Sequence, residues 1–221
     1  MRIIRGLAIG TGIAVAVLIT MVAINPALLK HVASSLLAPV SGSDNGGQMA
    51  TTTNSGIPPG APIGGSFQLI NQLSQPVTDA TYHGKYMLVF FGYSHCPDEC
   101  PLTLQKMVLI MNALGPLAQH VAPIFITIDP TRDTPPALKA YLSKFGPDLI
   151  GLTGSNAQIA GVAHEYAVAF NTNDLEASGA SLISHSTYIY LMGPDGKFLN
   201  LFPFTITVTQ LTSVLKAQIN S

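Results

Sequence analysis

A nearly continuous apolar run, KYMLVFF from Lys85 to Phe91, constrains the fold more than any other part of this chain. A run of this length with aromatic and branched side chains indicates a strand that is buried on both faces of a sheet. The two cysteines, Cys96 and Cys100, follow directly, and a helical pattern then covers Pro101 to Leu114. Proline suits a first helical position, because its missing N–H is not needed there. The sequence therefore predicts a buried strand, a cysteine loop and a helix in direct succession.

The segments on either side of this unit alternate between strand and helix patterns. A short hairpin is expected around Phe67 and Pro76, before the core strand. After the first helix we expect strands at 121–128 and 149–152, a helix at 135–145 with Thr134 as its N-cap, and a helix at 155–170. A hairpin of strands 187–192 and 198–202 around Asp195-Gly196 and a closing helix at 207–220 are expected to follow. Strands separated by helices, followed by a hairpin and a last helix, predict an α/β fold of the thioredoxin-like sandwich type.

The N-terminal segment differs from the rest in its hydropathy. Residues 6–24 contain no charge, and a helix that crosses the hydrocarbon core of a membrane needs about 20 such residues. Arg2 and Arg5 precede the run, which favours a cytoplasmic N-terminus. A retained anchor over residues 1–30 is preferred to a cleaved signal peptide, and both export the domain. We expect a single-pass protein of the bacterial inner (cytoplasmic) membrane whose domain faces the periplasm or the cell exterior.

Residues 31–63 are expected to form a linker, and residues 64–221 the globular domain. From Ser41 to Ile63 the chain reads SGSDNGGQMATTTNSGIPPGAPI, a flexible composition that becomes stiffer at its prolines. The formal net charge of -1 and the scattered basic residues give no basic face for nucleic acid and no polybasic patch for anionic lipid.

The cysteine pair is the candidate site. A secreted scaffold held by disulfides would carry more than two cysteines, spread more widely. At a helix N-terminus the partial positive charge is expected to lower thiol pKa values and favour thiolates. In a helix, residues four apart lie about 6 Å along the axis on nearly the same face, which suits two sulfurs on one metal and permits a disulfide. Soft thiolates favour Cu(I) or Zn. An inert disulfide, a metal-free redox pair and a metal site with a distant histidine all remain open here.

Three segments resemble the SCO/SenC family of membrane-anchored copper chaperones for cytochrome c oxidase assembly. They are FFGYSHCPDECPLTL from Phe90, ITIDPTRDTP from Ile126 and HSTYIYLMGPDGKF from His185. The resemblance extends from Gly64 to the C-terminus. It implies a thioredoxin fold, copper as Cu(I), Cu(II) or both on Cys96, Cys100 and His185, and delivery to the copper-bearing oxidase subunit. A second copper chaperone or a thiol reductant is a further implied partner.

Several other residues are weighed against this ligand set. Ser184 stands where the family commonly has an acidic residue before the ligand histidine, so the surroundings of His185 differ from the usual pattern. Asp98, inside the cysteine loop, matches the family and is expected to supply negative charge nearby. His95 is a weaker ligand candidate, because adjacent side chains often point apart. Surface or core roles are expected for His83 and His164, and Asp129, Arg132 and Asp133 are expected to stiffen a loop by Asp–Arg pairing.

The sequence leaves enzymatic activity open and favours a metallochaperone. The alternative is a thiol–disulfide oxidoreductase that acts on cysteines of a partner such as the oxidase subunit. Enzymes of that kind usually have two residues between their cysteines, whereas three separate Cys96 and Cys100. A peroxide-reducing thiol enzyme would need an arginine and a hydroxyl beside one activated cysteine, and the sequence shows no such constellation.

Overall fold

The computed structural model describes residues 57–169 and 187–221. Its strands are β1 Gln68–Asn71, β2 Pro76–Thr78, β3 Tyr86–Gly92, β4 Val121–Thr127, β5 Ile150–Thr153, β6 Tyr188–Met192 and β7 Phe198–Pro203. Its α-helices are α1 Glu99–Leu114, α2 Pro135–Leu142, α3 Asn156–Glu165 and α4 Val208–Ile219. The predicted anchor 1–30, most of the predicted linker and His185 lie outside the described residues. Within the described ranges, none of the helices is long and apolar enough to cross a membrane.

The seven strands form one sheet in the order β2-β1-β5-β4-β3-β6-β7. Strand β3 pairs in parallel with β4, which pairs in parallel with β5, and all other neighbours are antiparallel. Gly92 at the end of β3 lies opposite Thr127 at the end of β4, and Phe90 lies opposite Ile189 near the start of β6. The C-terminal ends of β3 and β4 and the N-terminal end of β6 therefore lie together, and we call this the cysteine end of the sheet.

Both faces of the sheet are covered, as the apolar run in β3 predicts. Phe90 packs toward Phe125 with ring centroids 6.1 Å apart on the face that carries α1 and α2. On the opposite face, the Phe91 ring lies 5.2 Å from Tyr166, which follows α3, and 5.8 Å from Tyr190. Buried aromatic pairs of this kind add to the free energy of burying the rings. The mixed α/β, thioredoxin-like fold expected from the order of elements is confirmed.

Helix ends account for most differences from the sequence prediction. Helix α1 begins at Glu99 rather than Pro101, so Cys100 lies inside its first turn. Pro101 becomes the third helical residue, where an N–H still has no partner within the helix. Helix α3 ends at Glu165 rather than at residue 170, because Ala167 adopts a positive φ of 51° that cannot continue a right-handed helix. Helix α2 ends at Leu142, three residues earlier than expected.

Residues 57–63 were expected to belong to the linker, but they pack against the domain. The Gly60 N–H donates to the carbonyl of Phe198, the first residue of the edge strand β7, at 2.8 Å. Ile57, Ala61 and Ile63 are partly buried against the core. These apolar residues are interspersed with glycine and proline, so they show neither helical nor strand periodicity. The sequence therefore could not distinguish them from the linker.

Candidate metal centre

The two cysteines lie where β3 leaves the sheet and α1 begins. Cys100 is the second residue of α1 and is fully buried, whereas Cys96 lies in the preceding loop and is only partly buried. Both side chains are thiols, and the two thiols are hydrogen-bonded to each other. The sulfurs therefore converge, with one in the core and the other accessible from solvent.

Gly92 provides the space in which the Cys100 sulfur sits. A Cβ atom at this position would lie 2.8 Å from the Cys100 Sγ and 2.9 Å from Cε2 of Phe125. Real Cβ atoms are not found so close to other heavy atoms, so every residue larger than glycine would displace the thiol or the ring. In the sequence Gly92 is only one letter of a motif, because close approach to a residue eight positions away cannot be seen there.

The pKa of the Cys100 thiol is raised far above its ordinary range, contrary to the expectation that the helix N-terminus would lower it. The largest cause is the hydrogen bond with the Cys96 thiol, followed by burial. A backbone hydrogen bond with Tyr93 acts in the opposite direction, but it is outweighed. When Cys96 carries a negative charge, Cys100 retains its proton, so a cation is needed to make both sulfurs thiolates.

The pKa of Tyr141 in α2 is also affected by the two cysteines. Burial raises the pKa of its hydroxyl, and negative charge on Cys100 and Cys96 raises that pKa further. The hydroxyl oxygen is buried without a hydrogen-bond partner among the described residues. The sequence gives no signal for Tyr141, since its proximity to the cysteines depends on how α2 packs against the sheet beside Phe125, whose ring centroid is 6.1 Å away.

Asp133 connects the loop after β4 to the cysteine loop. Its carboxylate is fully buried and accepts hydrogen bonds from the Ser94 N–H at 2.9 Å, from the Ser94 hydroxyl and from the Thr127 hydroxyl at 2.6 Å. A second bond joins the same two loops, because the Ile128 N–H donates to the Gly92 carbonyl at 2.8 Å. The two loops at the cysteine end thus form one hydrogen-bonded unit.

The predicted Asp–Arg pairing in the loop after β4 is confirmed. The Arg132 Nε donates to the buried Asp129 carboxylate, and the Arg132 guanidinium lies 6.0 Å from the Tyr93 ring centroid. Tyr93 is buried, and its carbonyl accepts from the Cys96 N–H at 3.3 Å. The loop therefore supports the backbone next to Cys96 in addition to leading into α2.

The remaining candidates lie as follows. His95 is exposed, with its Nδ1 3.0 Å from the Ser94 hydroxyl oxygen and 4.0 Å from Asp133. Asp98 occupies the N-cap position of α1, is exposed and forms no capping hydrogen bond. His83 lies 3.6 Å from Asp79, and His164 is exposed on α3. His185 and Ser184 are outside the described residues, and residues 57–169 and 187–221 alone contain no cluster of three or more metal-binding side chains.

This arrangement fits a soft metal ion or a reversible disulfide. Two converging sulfurs, one buried and one accessible, match the donor preference of Cu(I) and give an ion a route from solvent. The same contact allows the two thiols to be oxidised to a disulfide. A metal site built on this pair would require at least one further ligand, since two sulfurs alone are the only members of the predicted set within the described residues.

Comparison with known proteins places the chain in a family. The sequence model of the SCO1/SenC family matches residues 56–220. The mitochondrial SCO1 homolog of Mus musculus is 39% identical over 142 residues, which cover 63% of this chain and 50% of that protein. The SCO2-like protein of Rickettsia felis is 38% identical over 155 residues, covering 70% of this chain and 76% of that protein. The chain thus spans only about half the length of the mouse relative.

A solved structure gives the same match in three dimensions. The copper-bound structure of ScoI from Bradyrhizobium japonicum is 42% identical in sequence and superimposes with a TM-score of 0.64. The alignment covers 71% of this chain and 99% of that one. The similarity therefore includes the whole of the Bradyrhizobium domain.

Proposed function

Because the chain belongs to the SCO1/SenC family, we propose that it is a membrane-anchored copper metallochaperone. Copper is its cargo, held by Cys96, Cys100 and His185 and delivered to the copper-bearing subunit of cytochrome c oxidase. Residues 1–30 anchor the chain, residues 31–63 are mainly a tether, and the domain that follows carries the site.

The observation that carries this proposal is the position of β6 beside β3. Strand β6 begins at Tyr188 at the cysteine end of the sheet, immediately next to the strand from which the cysteine loop emerges. His185 precedes Thr187 by only two residues in the sequence. The described chain resumes at Thr187, beside the strand that leads to the cysteine loop, and this supports the proposal that His185 is the third ligand.

The donor set supports copper over harder ions. Two thiols and one imidazole suit Cu(I) and Cu(II), whereas magnesium and calcium prefer carboxylate and carbonyl oxygens. The copper in the related Bradyrhizobium structure supports the same assignment for this chain. Zinc shares the preference for sulfur and nitrogen, so the family relationship decides between the two.

The burial of the sulfurs suggests how cargo is held and released. Cys100 is fully buried in the first turn of α1, and its thiol gives up a proton when copper binds. Cys96 is more accessible, on a loop that also exposes Pro97, Asp98 and Glu99. A partner's sulfur or imidazole would therefore replace Cys96 first, and Cys100 would be the last protein ligand to leave.

Copper transfer tests this proposal. The full chain is loaded with copper and mixed with the metal-free, reduced copper-bearing oxidase subunit, and the absorbance of the binuclear centre is followed. We expect transfer from the wild type, none from the Cys96→Ser variant, and normal transfer from His164→Ala, which changes an exposed histidine on α3. A wild-type chain that binds no copper, or that binds copper without releasing it to the subunit, would overturn the proposal.

The hydrogen bond between the two thiols also favours a second candidate, a thiol–disulfide oxidoreductase. In that reaction the Cys96 and Cys100 thiols become an intramolecular disulfide, while a disulfide of the partner takes up the two electrons and two protons and becomes two thiols. A disulfide-reduction assay separates the two functions. Turnover that survives His185→Ala but is lost in Cys96→Ser would support the oxidoreductase, whereas absent turnover would remove it.

A further inference from the structure

We propose that Asp133 is the positioning residue of the dithiol site: through Ser94 it fixes the conformation of the cysteine loop in which Cys100 is protected and both sulfurs are ready to bind metal. Its effect on copper binding rests on the proposed function. Its effect on the metal-free loop does not.

The hydrogen bonds of Asp133 are directed at the loop itself. Ser94 is two residues before Cys96, and it donates both its N–H and its hydroxyl to the Asp133 carboxylate. Hydrogen bonds to a buried carboxylate are stronger than those between neutral groups, and a buried carboxylate that loses its donors is costly. These two bonds therefore hold the segment between β3 and Cys96 in one conformation.

The support for Asp133 comes from the other side of the same carboxylate. The Thr127 hydroxyl, at the end of β4, donates to Oδ2 of Asp133, and the Asp133 N–H donates to the Asp129 carbonyl at 2.9 Å. Asp129 is itself held by Arg132. The main-chain bond to Asp129 and the Asp129–Arg132 pair do not depend on the Thr127 side chain, so they keep Asp133 in place, and Asp133 transmits that position to the cysteine loop.

The same network determines the direction in which His95 points. The Ser94 hydroxyl has one proton, which it donates to Asp133, so its oxygen accepts the hydrogen bond from Nδ1 of His95. The imidazole next to Cys96 is thereby held toward Ser94 and Asp133. In this conformation His95 does not complete a three-ligand cluster with the two cysteines within the described part of the chain. The third ligand position is left for a residue from elsewhere.

The metal-free test measures how well Cys100 is protected. Reduced, metal-free full chain is treated with iodoacetamide, and the alkylation rates of Cys96 and Cys100 are determined separately by peptide mass spectrometry. We expect Cys100 to react at least about tenfold faster in Asp133→Ala than in the wild type, because the loop has lost two charge-assisted hydrogen bonds. Asp133→Asn should largely restore protection, since one amide oxygen can still accept from the Ser94 N–H and from Thr127.

The control removes a bond from Asp133 without releasing the loop. Thr127→Val loses the bond on the side of β4 but leaves both Ser94 donors in place. Iodoacetamide should alkylate Cys100 of Thr127→Val at a rate within about twofold of the wild-type rate, even where the thermal stability of the variant falls. Equal protection in Asp133→Ala and the wild type, or equal loss in Thr127→Val, would overturn the proposal. Should Asp133→Ala fail to fold, Ser94→Ala compared with Thr127→Val decides in the same way.

Copper supplies the second readout. The affinity for Cu(I), measured by competition with bicinchoninate, should fall by about 10–100-fold in Asp133→Ala and much less in Thr127→Val, as is usual for residues that orient metal ligands. A wild type that takes up no Cu(I) would refute the proposed function but leave the alkylation result to decide the role of Asp133. Wild-type copper affinity in Asp133→Ala would refute the positioning role instead.

Discussion

The Cys100 sulfur lies 2.8 Å from the point at which a Cβ atom would stand on Gly92. The buried thiol thus packs directly against Gly92, the last residue of β3, and Phe125 of the neighbouring strand β4 borders the same space. The position of the sulfur relative to the sheet depends on the absence of a single methyl group.

Gly92→Ala should therefore move the Cys100 thiol. Overpacking of this kind typically costs about 1–3 kcal/mol of folding free energy, and we expect weaker copper binding in addition, because the two sulfurs no longer converge. Urea unfolding and Cu(I) competition measure the two effects. Gly161→Ala is the matched control: its Cβ would meet nothing within 4 Å in α3, so it should leave copper affinity unchanged and slightly increase stability. Wild-type stability and copper affinity in Gly92→Ala would contradict this account of the site.

Copper affinity should increase with pH. The pKa of the Cys100 thiol is raised, so at neutral pH this group keeps its proton in the metal-free protein, and copper must displace it. For each proton released, the apparent affinity rises about tenfold per pH unit below the pKa of the thiol. Cu(I) competition at about pH 6, 7 and 8 measures the slope. An affinity that does not change over this range would mean that both sulfurs are already thiolates.

Alkaline pH should destabilise the domain partly through Tyr82. Burial raises the pKa of its hydroxyl from 10.0 to about 12, so folding favours the neutral phenol. The resulting stability is fully present below pH 10 and is lost as the pH rises toward 12. Because solvent screens part of this effect, the loss amounts to about 1–2 kcal/mol. Urea unfolding between these pH values should show a smaller loss in Tyr82→Phe than in the wild type, while Tyr188→Phe, 40% exposed on β6, should behave as the wild type does.

The N-terminus of α3 offers a prediction about stability alone. Ser155 accepts from the Gln158 N–H at 3.2 Å, and the Gln158 side chain accepts from the Ser155 N–H at 2.8 Å and donates to the Gln68 carbonyl at 2.7 Å. Ser155→Ala should cost about 1 kcal/mol in urea unfolding, because one helical N–H loses its acceptor. Ser213→Ala, at an exposed position of α4, should change stability by less than about 0.5 kcal/mol. Equal effects of the two substitutions would show that the cap contributes nothing.

Patterns local in sequence predicted the fold well. The apolar run in β3 indicated a strand buried on both faces. The Asp195-Gly196 turn indicated the hairpin in which β6 pairs antiparallel with β7, and Gly196 has the positive φ of 78° that such a turn needs. The predicted starts of the last three helices agree to within a residue with α2, α3 and α4, whose N-caps are Thr134, Ser155 and Thr207. The predicted C-terminal ends of the helices were less accurate. A left-handed conformation is usually signalled by glycine or asparagine, and here it is adopted by an alanine, Ala167.

The sequence predicted candidate ligands but not the contacts that shape the site. The contacts that shape it join residues distant in sequence, such as Ser94 with Asp133 and Gly92 with Phe125. Whether the Cys100 pKa rises or falls depends on burial and on the distance between two thiols, and neither quantity is contained in a motif. The expectation of a lowered pKa followed from the helix N-terminus alone, and that contribution is smaller than the effect of a second thiol in contact.

Copper titration of the full chain, with His185→Ala and His164→Ala beside the wild type, is the strongest test of the proposed copper site. We predict one copper per wild-type chain, with thiolate-to-copper charge-transfer absorption in the Cu(II) form. His164→Ala should behave in the same way, and His185→Ala should lose that absorption and most of its affinity. A His185→Ala variant that binds copper with wild-type stoichiometry, affinity and spectrum would contradict the three-ligand site.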